Sequence, residues 1–514
     1  MTNSTHSTIA ALLSQAVVDR GDAPALGIIA ADGVAWTTWR QLAALVAKRV
    51  DQLGQIGIVA GDRVALCGPN SLDWIVNDLA LHTIGGVSVP LHVANPQQLN
   101  RQLVEIADAR LLIDGSHSIG AAVLRPTRHR SPADLSTIIF TSGTTSLPLG
   151  VMLSQQNLLA NAMAVSQAAP GDGNETRLAI LPFSHAYGRT CDLYVWLVRQ
   201  SRMVLSRGRE HLLDDLRVAQ PTAVLGVPYL FSKLAAAAQH CSLVELCGGQ
   251  LRRGYSGGAP LAREIVQTFA HHGVVLSDGY GLTEASPVVA MDAGGDLAAG
   301  ASSLAVAAVG KPLPNIEVEI ATDGEILVRG PSVMLGYWHN DEATARALRD
   351  GWLHTGDVGQ FRPDGTLEIV GRKKELIVLA TGKKVAPAAI EARLTASPLV
   401  EQALVIGEGR THLLALIVPN PERLRAEVGR RRLWVWSKRQ AVNHRQIRSW
   451  MGDEIERCTR DLAPHERPRH FEILSRGFSL EKGEMTAKLS LRRQQIEQNF
   501  HRQIAKQFAN PKTQ

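Results

Sequence analysis

The sequence predicts an α/β protein in two parts: a large N-terminal domain of α/β sheets with a small barrel-like portion, and a small α+β domain at the C-terminus. Three observations carry this. Apolar strand-like runs alternate with amphipathic helical stretches along most of the 514 residues, the pattern of strand–helix–strand units around a parallel sheet. Beyond residue 297 the runs shorten, alternate residue by residue and are parted by Gly and Asp turns, as antiparallel or barrel-like strands require. The last part is basic and rich in helical patterns. At roughly 150 residues per domain, the length allows one large domain and one smaller one.

In chain order, strands are expected at Asp62–Cys67, Met203–Ser206, Thr222–Gly226 and Val274–Ser277. Helices are expected at Leu72–Ile84, Pro228–Gln239 and Pro260–His271. The short antiparallel set is Val318–Ile320, Glu325–Arg329, Gly359–Phe361 and Thr366–Val370. The β pattern stops near Gly371, where Arg372-Lys373-Lys374-Glu375 begins, so the expected domains are 1–370 and 371–514. The chain shows no internal repeat with the period of a solenoid or propeller.

Hydrophobic residues make up 45% and charged residues 20% of the chain, a globular composition that excludes disorder as the main state. The most apolar stretch, Trp74–Val93, is interrupted by Asn77, Asp78, His82 and Pro90, so no transmembrane helix is expected. No Lys or Arg precedes the first short apolar stretch, and a secretory leader is not expected either. The five cysteines, Cys67, Cys191, Cys241, Cys247 and Cys458, are few, odd in number and mostly far apart. They predict a reducing, cytoplasmic setting rather than a disulfide framework or zinc site.

The net charge is 54 − 48 = +6 and is unevenly placed. Residues 421–514 hold 21 Lys and Arg and 11 Asp and Glu, or 21 − 11 = +10, which leaves −4 for the rest. Such a tail suits anionic lipid, a phosphorylated small molecule or nucleic acid, and equally a solvated helical surface. Interleaved aromatics are sparse and no nucleic-acid motif occurs, so nucleic acid is not an expected partner. Within Gly429–Arg439, Trp434 and Trp436 stand two apart among arginines. This basic segment suits phosphate groups or an anionic membrane, and with its tryptophan pair it equally suits one face of a strand.

Three motifs carry chemistry. Thr141-Ser142-Gly143-Thr144-Thr145 follows the strand-like Ser136–Phe140. Its hydroxyls and unobstructed amides make a phosphate cradle, although ordinary turns share this composition. It is not a Walker A loop, since no Gly-Lys-Ser/Thr follows. Ser277-Asp278-Gly279-Tyr280-Gly281-Leu282-Thr283-Glu284 comes at the end of a predicted strand, where ligands of open α/β sheets bind. Tyr280 there can lie against a base and Glu284 can hold Mg2+ through oxygen; a tight loop with an incidental acid reads the same way. Finally, Asp357 and Arg372 flank a strand pair, placed either to grip ribose hydroxyls or to form a surface salt bridge.

In order and spacing, these blocks resemble the adenylate-forming superfamily of acyl-CoA synthetases, luciferases and adenylation domains. The resemblance runs from Thr38-Trp39-Arg40-Gln41-Leu42 and Gly61–Ala65, through Leu181–Thr190, Ser256–Leu261 and Gly310–Pro314, to Gly483–Lys488. The Ser184–Thr190 block, Val385–Pro387 and Gly483–Thr486 resemble the long-chain fatty acid branch most.

The resemblance implies ATP-dependent activation of a carboxylic acid, expected to be a medium- or long-chain fatty acid. An acyl-AMP forms first and an acyl-CoA thioester second, with ATP, Mg2+ and CoA as cofactors. It implies that Thr141, Ser142, Gly143, Thr144 and Thr145 line the ATP phosphates. Ser256, Gly257, Gly258 and Ala259 would form one wall of an adenine pocket, and Gly279, Tyr280 and Gly281 the other. Thr283 would meet phosphate, Glu284 would hold Mg2+, and Asp357 and Arg372 would hold the ribose. His185 would lie beside the reacting carboxylate and the acyl channel. Gly257 and Gly258 could instead serve turn geometry, and His185 could be a packed core histidine. The resemblance further implies that the small domain is mobile, with Lys374 at the hinge.

Two positions depart from the pattern. The family loop ends Gly-x-Pro-Lys-Gly, and here Leu149 takes the place of the lysine that meets the phosphates. Losing such a preorganised charge costs roughly 3–4 kcal/mol, or about 10²–10³ in rate. Near the C-terminus the catalytic-lysine position is Ser490, with Lys488 two residues early. The expectation is that Lys488 bridges carboxylate and α-phosphate. Two alternatives stay open: an acyl-AMP ligase that loads an acyl carrier protein, and a catalytically impaired adenylate-fold protein that binds nucleotide or acyl chains. Peripheral membrane contact fits the basic tail. The short stretch 114–131 has no functional reading.

Overall fold

The computed structural model describes residues 8–114, 131–141, 148–169, 171, 173–238, 241–259, 261–292, 308–431, 433–435, 437–479, 481–485 and 491–509. The chain divides into two compact units, one of residues 1–355 with 360–368 and the other of 356–359 with 369–514.

The first unit contains two mixed sheets. In the nine-stranded sheet, Pro24–Ala30, Arg202–Leu205, Thr176–Ala179, Ala223–Gly226, Arg253–Gly257 and Val275–Gly281 run parallel, and antiparallel strands close both edges. In the six-stranded sheet, Leu111–Ile113, Arg63–Cys67, Val87–Leu91 and Leu135–Thr141 run parallel, followed by antiparallel Leu149–Ser154 and Gly336–Tyr337. The expected parallel strands are therefore present. Val274–Ser277 continues to Gly281, because Tyr280 and Gly281 pair with Ala290 and Val288 of a neighbouring strand.

Local sequence starts the helices. Ser71 caps Leu72–Thr83 by accepting from the Trp74 amide, and Ser154 with Asn157 forms a capping box on Gln155–Ala168. Pro228 opens Pro228–Ala237 at a position where its missing N–H costs nothing. The helix expected from Pro260 begins at Arg263. Residues Trp74–His82 are all buried, so this helix carries polar groups into the interior and each needs a partner. In Gln155–Ala168, Asn161 donates to the Val288 carbonyl at 2.7 Å, and Asn157 to those of Pro331 and Val333 at 2.8 and 2.9 Å.

The barrel-like portion is a five-stranded sheet of Glu317–Ile320, Glu325–Arg329, Trp352–Phe361 and Leu348–Arg349, with Leu367–Arg372 on Trp352–Phe361. The division between the units falls in this last hairpin, and its second strand continues past Gly371 to Arg372.

In the second unit, Val400–Ile406 pairs antiparallel with Leu413–Pro419, which pairs parallel with Pro468–Ile473. Helices Pro387–Thr395 and Arg445–Thr459 bury Ile390, Leu394, Ile447 and Met451 against one core of this unit. Residues 433–435 form no strand and Trp434 is 79% exposed, while its pair-mate Trp436 lies outside the described residues. No disulfide joins any of the five cysteines. Among the described residues no helix is long and apolar enough to cross a membrane.

Candidate active site

The parallel register of the nine-stranded sheet gathers the predicted glycines. Ser256 pairs with Asp278 and Gly257 with Gly279, so the two segments lie side by side at the carboxyl edge as one floor. Each glycine there has its own reason. A Cβ on Gly257 would stand 2.9 Å from Cζ of Tyr187, and one on Gly281 would stand 2.0 Å from the Pro287 carbonyl oxygen. Gly258 has φ +83°, in the left-handed region, with open space where a side chain would go. Turn geometry thus explains Gly258, and close packing explains Gly257. Ser256 Oγ is buried without a hydrogen-bond partner, a polar group suited to a ligand. Ala259 is exposed and Tyr280 half-buried. Burial pushes the Asp278 carboxyl up to about 7, against the pull of the Gly279 amide.

Beyond this floor, Thr283–Ala285 forms a short 3₁₀ turn. The Tyr337 hydroxyl donates to Glu284 Oε1 at 2.9 Å, and the Glu284 carbonyl accepts from the Met334 amide at 2.9 Å. This fixes one carboxylate oxygen and the backbone. Among the described residues no group of three His, Cys, Asp or Glu could hold a metal by itself. A single positioned carboxylate nonetheless fits Mg2+, which commonly takes one or two carboxylates and fills its shell with phosphate oxygens and water. Tyr337 did not stand out in the sequence, where it lies 53 residues from Glu284; its only local signal is the Gly336-Tyr337-Trp338 run.

Thr141 ends its strand opposite Leu149, and its hydroxyl donates to the Leu149 carbonyl at 3.4 Å. The predicted phosphate loop is therefore the connection of an antiparallel pair, with Leu149 half-buried at its base. Ser142, Gly143, Thr144 and Thr145 lie outside the described residues, as do Lys488 and Ser490.

His185 precedes the short helix Ala186–Gly188 and is half-buried rather than packed in the core. Its ring meets that of His92 edge-on, with centroids 4.8 Å apart. His92 follows the strand Val87–Leu91 of the six-stranded sheet, and Asn70 holds the preceding turn by donating to the Leu181 carbonyl and accepting from the Phe183 amide, at 2.8 and 2.9 Å. The Ser184–Thr190 block continues into a wide-turn helical segment, Arg189–Tyr194.

Arg189 is wholly buried. It donates to Asp78, to Ser88 Oγ at 3.0 Å and to the Tyr194 hydroxyl at 3.0 Å. His82 completes this network through Tyr194 at 2.9 Å and Ser136 at 2.8 Å. Burial pushes the His82 imidazole down to about 4, only partly offset by Asp78, so it is neutral at pH 7. Burial would lift the Asp78 carboxyl, but Arg189, His82 and the Ser88 and Tyr194 hydroxyls outweigh it and hold it below the usual range. Asp78 and His82 showed in the sequence only as polar breaks in an apolar stretch, because Ser136, Arg189 and Tyr194 come from distant segments.

In the second unit, Arg372 Nε lies 3.1 Å from Asp357 Oδ1; Asp357 is buried and Arg372 exposed. Lys374 is exposed, and its neighbour Lys373 donates its amide to the Gly356 carbonyl at 2.8 Å.

Glycine-rich backbone at the carboxyl edge of a parallel sheet, with a positioned carboxylate just beyond it, is the place where open α/β folds bind ligands. Comparison with known proteins narrows this. The profile of the AMP-binding enzyme family matches residues 13–129 and 115–338, and that of the AMP-binding enzyme C-terminal domain matches residues 374–512. The chain is 30% identical to the long-chain-fatty-acid–CoA ligase FadD15 of Mycobacterium bovis, over 91% of this chain and 92% of that one. Among solved structures, the anthranilate CoA ligase AuaEII in complex with anthranoyl-AMP superposes with a TM-score of 0.78 at 20% identity, covering 96% of this chain and 97% of that one. The o-succinylbenzoate coenzyme A synthetase of Bacillus subtilis, in complex with ATP and magnesium ion, gives 0.76 at 21% identity, covering 95% and 99%. These two likenesses establish the fold. The chain belongs to the AMP-binding enzyme family of adenylate-forming acid–thiol ligases, a class that uses ATP, Mg2+ and CoA.

Proposed function

We propose that this protein activates a carboxylic acid of the fatty acid class, of medium or long chain, to an acyl-AMP and then transfers the acyl group to the thiol of CoA. The carboxylate oxygen attacks the α-phosphorus in line, the P–O bond to pyrophosphate breaks, and the thiol sulfur then displaces AMP from the acyl carbon. The observation that carries this reading is the register of Ser256–Gly257 against Asp278–Gly279, with Glu284 held by Tyr337 just beyond. It supports a flat base over the glycines and a carboxylate aimed at the phosphate end. Mg2+, when bound, supplies charge neutralisation at the phosphates, and Glu284 is the residue proposed to hold it.

In this reading Thr141–Thr145 and Thr283 bind the phosphates. Ser256, Gly257, Gly258, Ala259, Gly279, Tyr280 and Gly281 bind the base, and Asp357 and Arg372 bind the ribose. His185 lies beside the acid, Lys488 bridges carboxylate and phosphate, and Lys374 is the hinge. The functional boundary is placed at 370/371. Most of the catalysis is positioning and charge stabilisation. ATP–pyrophosphate exchange over a panel of carboxylic acids tests the reading. Acid-dependent exchange is expected, and its absence with every acid would replace the ligase by a nucleotide- or acyl-binding protein. Competition between CoA and an acyl carrier protein as acceptor tests the thiol.

A further inference from the structure

The second unit concentrates the chain's excess positive charge in one stretch. Residues 421–448 hold nine Lys and Arg and two Asp and Glu, or 9 − 2 = +7 of the +10 in residues 421–514. Arg423, Arg425, Arg430, Arg431 and Arg445 are exposed. The two acids are Glu422 and Glu427, and Glu427 alone serves both Arg430 and Arg431, the latter at 3.0 Å. Like charges gathered this densely repel one another, and an anionic partner relieves them.

The same stretch holds an indole out to solvent. Leu424 and Val428 of the helix Pro421–Arg430, and Leu433 and Val435 beyond it, pack against the core of this unit. Trp434 stands between two of these anchors and is 79% exposed, the highest value among the exposed large hydrophobic side chains described. The Leu433 amide donates to the Val428 carbonyl at 3.0 Å, which places Trp434 just past the turn that carries Arg430. Arg423 and Arg430 are seven residues apart on the helix and so share one face. Three residues beyond Trp434, Ser437 begins an open groove of about 410 Å³ that Gln440, Asn443 and His444 also line. His444 Nδ1 is buried there without a hydrogen-bond partner, a polar atom that a phosphate oxygen can satisfy when it carries the ring proton.

Arginines beside an outward indole match the interface of a bilayer, where guanidinium groups meet lipid phosphates and tryptophan settles at the level of the head groups. A soluble nucleotide would use the charge and leave the indole in water. A nucleic acid strand would call for several aromatic platforms. We infer that the face of the second unit carrying Arg423, Arg430 and Trp434 docks on an anionic lipid bilayer. The contact is peripheral and adds a membrane surface to the proposed acid activation without depending on it.

The test is flotation of the full chain with phosphatidylcholine vesicles, with and without about one third phosphatidylglycerol, at about 0.1 M salt. Binding to the anionic vesicles alone is expected, and it should weaken as salt is raised. Arg423→Ala with Arg430→Ala should lower the affinity about fivefold per arginine. Trp434→Ala should lower it about fivefold at unchanged charge. Arg423→Lys with Arg430→Lys, which keeps the charge, should bind like the wild type. No binding to anionic vesicles, equal binding to both kinds, or wild-type binding by either alanine variant overturns the inference. Pyrophosphate exchange measured without vesicles reports on the ligase separately. Exchange without vesicle binding removes the docking surface and leaves the ligase reading intact, and selective vesicle binding without exchange from any acid does the reverse.

Discussion

Replacing His82 by Gln should remove a large part of the protein's sensitivity to acid. His82 and Asp78 are both wholly shielded from solvent, and burial pushes the imidazole from 6.5 to about 4. Between those values the unfolded chain binds a proton at His82 and the folded chain does not. Stability is therefore complete above about pH 6.5, falls as the pH drops toward 4, and levels off below it. At about 1.36 kcal/mol per pH unit, the full window is worth about 3 kcal/mol. Asp78 does not blur the reading, since its carboxyl is held below the usual range and titrates under this window. Glutamine keeps hydrogen-bonding capacity toward Tyr194 and Ser136 without a titrating ring. Urea unfolding of wild type and His82→Gln, followed by tryptophan fluorescence at about pH 7.5 and about pH 4.5, isolates the difference. Wild type should lose nearly 3 kcal/mol more than the variant between the two conditions. Equal losses would refute the placement of a neutral His82 in the Asp78–Arg189 network.

Glu284→Ala should lower pyrophosphate exchange by about 10²–10³-fold while ATP binding, measured by calorimetry, weakens only modestly, because the carboxylate acts on charge that grows in the transition state. Tyr337→Phe should cost roughly 10–10²-fold in kcat, the equivalent of the roughly 1.5–3 kcal/mol of a hydrogen bond to a charged group, and should raise the Mg2+ concentration needed for half-maximal rate. An unchanged Mg2+ dependence would separate Tyr337 from the metal. Leu149→Lys should raise the exchange rate by less than about 10²-fold, since a lysine placed there lacks the supporting groups that preorganise such a charge. In the same assay Lys488→Ala should lower the rate and Ser490→Ala should not. Lys374→Pro, which fixes φ at the proposed hinge, should spare acyl-AMP formation and slow thioester formation; equal loss of both half-reactions would point to misfolding.

Much of the fold was legible because its signals are local. Alternating apolar runs announce strands, Gly257 and Gly281 mark backbone that a side chain would obstruct, and Gly258 marks a left-handed turn. Asp357 and Arg372 were also readable, since one hairpin brings them to 3.1 Å. Boundaries were less so: Val275–Gly281 and Leu367–Arg372 outrun their expected ends because neighbouring strands supply partners.

The amino-acid sequence by itself determined the α/β architecture, since hydrophobic period and turn glycines act over a few residues, and the order of its motifs carried the resemblance to the adenylate-forming superfamily. Only the tertiary structure decided which polar groups are buried together. Arg189 meets Asp78 across 111 residues, and Glu284 meets Tyr337 across 53. The energy of a charge or hydroxyl depends on whether its surroundings exclude water and supply a partner. Those surroundings come from segments distant in the chain, so local spacing carries no trace of them.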